Sequence, residues 1–363
     1  MNPRKNIRVE IMKRIFFFVM LLVSVTVGQR YDNYIKGRIT ERQTGKPLPG
    51  VNVYLNDTLF GTTTDDMGYF KIGSIFPGNY DLVASMIGYE LYSKPLRIKS
   101  DSKISEKIFL EEHVYEFNDV EVTDKESIDW QDNYKKFSKV FFGSTVFADD
   151  CDIINKYGID FDKRGESLIA KAREPLTIEN KALGYEIICD LIFFDYNEAN
   201  GSKSFIVNTF FKEMNSGDDS AIGNYLENRD KAYFGSLQHF LESLVKNDVK
   251  EEGYQIRLVT MPVADPRDPP GYRTVSTESI LKPDKYGMYK ILKFDYYLQV
   301  YYHNPVNFND ELSYLSLKFE EVNLDQFGIP IEVIPFVTYG IWAKDGMANM
   351  LPKYFKPNKS NNL

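Results

Sequence analysis

At 363 residues the chain exceeds one average domain, which makes two domains the starting expectation. Hydrophobic residues at 43% and aromatic ones at 15% are enough to bury real cores, which excludes a disordered chain. A net charge of -8 describes a surface that repels phosphate backbones, and nucleic acid is excluded as a partner on that ground.

Residues 1–28 read as a secretory signal peptide. Arg4, Lys5, Arg8, Lys13 and Arg14 form a basic start, an apolar run follows from Ile15, and Thr26 and Gly28 supply the small residues a signal peptidase needs. The apolar run is too short and wrongly flanked to span a membrane, and no later stretch is long enough, so the mature chain is expected to be exported without a transmembrane segment. Removing the leader takes away mostly basic residues and leaves the mature chain more acidic still.

From residue 34 the sequence follows hairpin grammar. Residues 34–40 alternate with period two, and residues 43–47 (QTGKP) make a turn before a strand at 51–55. Asp65-Asp66-Met67-Gly68 is a tight turn in which acidic side chains cap the backbone and Gly68 supplies a positive φ. Tyr69 to Ile72 is the returning strand. Pro77-Gly78-Asn79 turns the chain into a strand whose Tyr80, Leu82 and Ala84 share one face. Strands at 93–98 and 103–110 close the set.

These residues resemble the carboxypeptidase-like regulatory domain, a seven-stranded transthyretin-like sandwich common in exported proteins of Bacteroidota. The resemblance rests on Gly37, Leu48-Pro49-Gly50-Val51-Asn52-Val53, Gly61-Thr62-Thr63-Thr64-Asp65, Gly68-Tyr69-Phe70, Pro77-Gly78-Asn79-Tyr80 and Ile87-Gly88-Tyr89. It implies a sandwich over residues 33–112. Residues 111–123 (EEHVYEFNDVEVT) resemble the exit strand by which such domains lead into the plug of a TonB-dependent receptor. Length and composition set the receptor reading itself aside, and residues 113–124 are expected to be a linker.

At Ser127 the pattern turns helical, with Trp130, Tyr134, Phe137 and Phe141 on one face and Gly143 breaking the run. Residues 159–162 and 167–170 flank the hairpin turn Lys163-Arg164-Gly165. Residues 185–194 and 204–211 are further strands. Asp230 is expected to cap a helix over 231–246 whose Tyr233, Leu237, Phe240, Leu241 and Leu244 form an apolar stripe. Strands follow at 254–260, 289–302 and 313–322, with a proline-rich loop at 262–271 and a disordered tail at 358–363. The fold expected is mostly β: the N-terminal seven-stranded sandwich plus a larger α+β domain, residues 125–357, rich in antiparallel strands.

This second region resembles an uncharacterised Bacteroidota family in which the regulatory domain precedes a module without known chemistry. The residues that carry it are Phe141-Phe142-Gly143-Ser144, the run from Glu174 through Asn180 and Gly184 to Tyr185, the run from Lys231 through Gly235, Ser236 and Gln238 to Phe240, and Leu351-Pro352 with Tyr354 and Pro357. The resemblance implies an architecture and a compartment, not a reaction. Cys189 departs from it, since a hydrophobe or tyrosine is the family-like residue there.

Several constellations imitate chemistry. His113-x-x-Glu116 with a distant His239 mimics the ligand spacing of zinc carboxypeptidases, but His113 and Glu116 sit on the exit strand of an accessory sandwich, and nothing marks the arginine and glutamate of such a site. Zinc carboxypeptidase activity is not expected. Asp160-x-Asp162-x-x-Gly165 begins like a calcium loop and fails where Lys171 replaces the bidentate glutamate. Asp149, Asp150 and Asp152 read as a solvated cluster. No serine elbow or phosphate loop occurs, and no cofactor is called for. Cys151 and Cys189 leave open a disulfide or two buried unpaired thiols. On the 231–246 helix His239 falls about 200° from Leu237, away from the apolar stripe and beside Gly235. Gly235, Ser236 and His239 are therefore the candidate interaction surface, with an internal contact of His239 as the alternative.

The function expected is a non-catalytic, exported binding or assembly module of the cell envelope, periplasmic or outer-membrane-associated, with the sandwich as its platform and an envelope protein or a glycan as partner. A carbohydrate-binding protein using sandwich loops and a hydrolase with its site in residues 125–357 are the alternatives.

Overall fold

The computed structural model describes residues 32–113, 127–262, 272–304 and 310–358. The leader, nearly all of the linker, the proline-rich loop from 263 and the last five residues lie outside the described residues.

Seven strands open the chain: β1 (Tyr34–Glu41), β2 (Asn52–Leu55), β3 (Gly61–Thr63), β4 (Tyr69–Gly73), β5 (Gly78–Ser85), β6 (Tyr92–Ile98) and β7 (Lys103–Leu110). They form two sheets, ordered β4-β1-β7 and β3-β2-β5-β6, with β7 parallel to β1. Ile35, Ile39, Phe70 and Ile108 from one sheet meet Val53, Leu55, Leu82 and Ala84 from the other, which makes a sandwich. The turns work as the residue types require: Asp65 Oδ1 accepts from the Met67 and Tyr69 N–H groups at 3.0 and 2.8 Å, and Gly68 has φ +77°.

Helix α1 (Ile128–Phe142) follows, capped by the Ser127 side chain, and its Phe137, Phe141 and Phe142 pack on a six-stranded sheet. That sheet contains β8 (Cys151–Ile153), β9 (Ile159–Arg164), β10 (Ser167–Ala172), β11 (Leu176–Asn180), β12 (Tyr185–Asn197) and β13 (Lys203–Glu213). Its order is β8-β11-β12-β10-β9, with β13 along the other side of β12. The register shifts between Leu191 and Phe193, so both Leu191 and Phe194 face the core under α1. Between β8 and β12 stands β11, with Asn180 opposite Cys151 and Leu176 opposite Cys189. The two cysteines are accordingly free, buried thiols, and the disulfide reading gives way to the alternative.

Helices α2 (Asp219–Tyr233) and α3 (Leu237–Lys246) come next, and the single helix expected over 231–246 is corrected. Ser236 caps α3 by accepting from the His239 N–H at 3.1 Å, and Gly235 at φ +83° lets the chain turn between the two helices. The apolar stripe of α3 then covers a five-stranded sheet. The remaining elements are β14 (Tyr254–Val259), β15 (Arg273–Thr274), α4 (Thr277–Ile280), β16 (Leu281–Pro283), β17 (Lys290–Leu292), β18 (Tyr297–His303), β19 (Asp310–Leu317), β20 (Val322–Leu324) and β21 (Phe336–Gly340). The large sheet runs β15-β14-β18-β19-β21, and β16-β17-β20 form a small one. The strand expected over 289–302 is thus two strands in two sheets, separated by Tyr296 at φ +61°. Among the described residues the fold is mostly β, with the few helices in the larger C-terminal part. No helix among the described residues is long and apolar enough to cross a membrane.

The outer face of the β3-β2-β5-β6 sheet meets the second part. Tyr54 and Val83 point away from the sandwich core yet are fully buried, because they pack with Ile188 and Phe210 of the six-stranded sheet. The turn after β2 adds to the edge of β13: the Asp57 N–H donates to Thr209 O at 2.8 Å and the Phe211 N–H to Thr58 O at 3.0 Å. Tyr354, near the C-terminus, packs edge-on against Tyr80 and donates to Asn79 O at 3.3 Å. The family-like residues Pro77 to Tyr80 and Leu351 to Tyr354 therefore lie along one seam.

Candidate functional site

Gly235, Ser236 and His239 are brought together at the turn between α2 and α3. His239 is 3% exposed and faces inward, ringed by Tyr233, Phe234, Tyr254 and Tyr302. Its Nδ1 accepts from the Gly235 N–H at 3.2 Å and the Tyr254 hydroxyl at 2.8 Å, which leaves the ring proton on Nε2, 3.2 Å from Glu252 Oε2. Burial lowers the His239 pKa against the opposing pull of Glu252, so the ring is neutral at pH 7. Nearby Glu242 would be raised by burial, but Lys246, Lys356 and the Tyr233 hydroxyl hold its carboxyl below the usual range. The Tyr302 hydroxyl is buried without a hydrogen-bond partner among the described residues. This interior cluster anchors the turn, with Trp342 Nε1 donating to Gly235 O at 2.8 Å. His239 makes internal contacts, while Ser236 of the same turn lines a surface cleft.

Ser236 opens onto a cleft of about 460 Å3 at the seam of the two parts. Its walls are apolar: Leu237 and Leu241 of α3, Phe327 and Ile329 of the loop before β21, Phe336 of β21, and Met350. Its rim is polar and comes from both parts. Asp57, in the sandwich turn, meets Lys353 Nζ at 3.4 Å and accepts from the Lys353 N–H at 2.6 Å. Asp345 stands on the opposite rim, its carboxyl pushed up to about 6 by burial against the pull of Asn349 and Lys203. An apolar cavity with a few placed polar groups is the ordinary form of a binding site. Sequence reasoning singled out only Ser236 as a contact and read Leu237 and Leu241 as core, because the opposite walls come from segments about a hundred residues further along the chain.

The residues that imitated metal chemistry are placed separately. His113 pairs with Glu90 at the exposed rim of the sandwich, His303 with Asp310 at 2.8 Å, and His239 lies in the cluster just described. Glu116 lies outside the described residues. Arg164 and Arg173 pair with Asp162 and Asp160, and Lys181 with Asp152. No group of three or more metal-ligating side chains occurs among the described residues.

The described residues form a two-sheet sandwich followed by a larger β-rich part. Residues 35–122 match the family model of the CarboxypepD_reg-like domain, and that part of the chain is such a domain. A segment of 83 residues is 36% identical to the TonB-dependent receptor P39 of Formosa agariphila; it covers 23% of this chain and only 8% of the receptor. Among solved structures, the chain is similar to the pilus 2b backbone protein of group B streptococcus (16% identity, TM-score 0.19, 23% of this chain and 42% of that one). It is also similar to a DUF3823 family protein from Bacteroides ovatus (11% identity, TM-score 0.18, 51% and 83%). Those likenesses are too slight to add to the architecture described above.

Proposed function

We propose that the chain is a non-catalytic binding or assembly module of the cell envelope, exported by its leader, that presents a cleft built jointly by the sandwich and the larger part. The observation that carries this reading is the cleft itself: apolar walls from the C-terminal part, closed on one side by Asp57 of the sandwich. A sandwich used as a platform has to be held in a fixed relation to what it supports, and the buried seam at Tyr54, Val83, Ile188 and Phe210 does this. Apolar walls favour a polypeptide over a glycan as the occupant, since sugars are held by exposed aromatic faces and many polar groups.

The test is co-purification from detergent-extracted envelope with the wild-type chain and with Leu237→Asp, which puts a charge in the cleft wall. The reading expects one envelope protein, retained by the wild type and lost from the variant. Polysaccharide retained equally by both would replace it with the glycan reading, and turnover of an envelope polymer by the purified chain would replace it with a hydrolase.

A further inference from the structure

Strand β21 is the last strand of the five-stranded sheet, and no described strand pairs with its outer side. Its pairing with β19 shows which backbone groups it leaves free. The Lys318 N–H donates to Pro335 O at 2.8 Å and the Ile341 N–H to Leu312 O at 3.1 Å. These bonds bracket the pairs Leu317/Phe336 and Ser313/Gly340 as the non-hydrogen-bonded kind, and the alternation of an antiparallel ladder makes Leu315/Thr338 the same. The N–H and C=O groups of Phe336, Thr338 and Gly340 consequently point away from β19. On the α3 side of the sheet, Phe336 and Thr338 also line the cleft.

Open strand edges invite pairing, and folded chains blunt them with charge, proline or shortness. The other described edge strands of five residues or more do so: β4 carries Lys71, β6 carries Lys94, Pro95 and Arg97, β7 carries Lys103, Glu106 and Lys107, β9 carries Asp160, Asp162, Lys163 and Arg164, and β13 carries Lys203 and Lys212. β21 reads Phe-Val-Thr-Tyr-Gly and has none of these. Among the described edge strands of this length, the unguarded one borders the apolar cleft.

We propose that β21 takes up an extended segment of a partner protein as an added strand, with one bulky apolar side chain of that segment seated in the cleft between Leu237 and Phe336. An alternating row of N–H and C=O groups is complementary to a polypeptide backbone, which gives affinity, and the pocket on one face gives selectivity at every second residue. The inference rests on the binding-module reading and specifies its partner.

The test uses a displayed library of random short peptides selected on the full chain, with the best sequence then made synthetically. Thr338→Pro removes an outward N–H that the ladder to β19 does not use, and proline is accepted at such edge positions. The proposal expects enriched peptides with a bulky apolar residue, binding weakened about tenfold or more by Thr338→Pro at unchanged melting temperature. Backbone N-methylation of the peptide, measured on the unaltered chain, should abolish binding at alternate positions only. Binding that is indifferent to N-methylation, or no peptide bound more tightly than about 100 μM, overturns it. A dimer of the chain that Thr338→Pro dissolves would overturn it in favour of self-pairing. An envelope protein retained by Thr338→Pro but lost from Leu237→Asp removes this inference and leaves the binding-module reading standing.

Discussion

The hydroxyl of Tyr54, on the outer face of the sandwich, donates to the carboxylate of Asp190 in the middle of β12. Ser85 donates to the other oxygen of the same carboxylate, so an acid that is 9% exposed has both oxygens satisfied by the neighbouring part. Burial raises the Asp190 pKa and the two hydroxyls oppose that rise. Tyr54→Phe keeps the ring stacked on Phe210 but strips one donor from a buried acid, for an expected loss of about 1–3 kcal/mol in urea unfolding. Ser85→Ala should cost a similar amount, and the double variant should depart from additivity because both serve one carboxylate.

Asp345 gives the cleft rim a pH dependence. With its folded pKa at about 6, against about 3.9 for an ordinary aspartate, the folded chain binds this proton more tightly than the unfolded chain does. Its contribution to stability is therefore greatest below about pH 4 and falls as pH rises through about 6. Asp345→Asn should match the wild-type melting temperature near pH 4 and exceed it at pH 7. A wild-type advantage at pH 7 would count against a buried, proton-holding rim.

At the turn between α2 and α3, a Cβ on Gly235 would lie 2.8 Å from a Tyr302 ring carbon and from Glu311 Oε2. Gly235→Ala adds a left-handed penalty of about 1–2 kcal/mol to that clash. His239→Ala strips partners from Tyr254, Glu252 and the Gly235 N–H, and should lower the melting temperature strongly, at about 1–3 kcal/mol for each group left unsatisfied. Unchanged stability in His239→Ala would contradict the internal role.

Both thiols should be silent in the native chain. Burial pushes Cys151 up to about 12 and raises Cys189 as well, and the thiolate is the reactive form. Ellman's reagent should find no reactive thiol in the folded protein and both thiols in denaturant without reductant; one disulfide would leave none.

Residues 33–112 alone should unfold cooperatively, because the sandwich core is made within them, and should melt below the full chain, because Tyr54 and Val83 lose their cover. Urea unfolding of the truncated chain checks both expectations. A disordered fragment would show that the core depends on the larger part.

What was legible in the sequence was what local chemistry decides. The Asp65-to-Gly68 turn and the helical run that begins after Ser127 are carried by neighbours in sequence. The apolar spacing that runs on from Tyr233 to Leu237 hides the break between α2 and α3, although Ser236 carries the residue type of a cap. The seam left one signal, apolar residues at both parities of β5, where Val83 joins Leu82 and Ala84 in being fully buried. The cleft left only Ser236, since its other walls meet that residue through the fold of α3 and through long-range pairing.

The most direct test of the account is photo-crosslinking in the native envelope, with a benzophenone amino acid replacing Leu237 in the cleft wall and, separately, Phe109 on the exposed side of β7. The account predicts a single protein cross-linked from position 237, at extended peptide segments identifiable by mass spectrometry. Products from position 109 alone, or only lipid and glycan adducts from position 237, would contradict it.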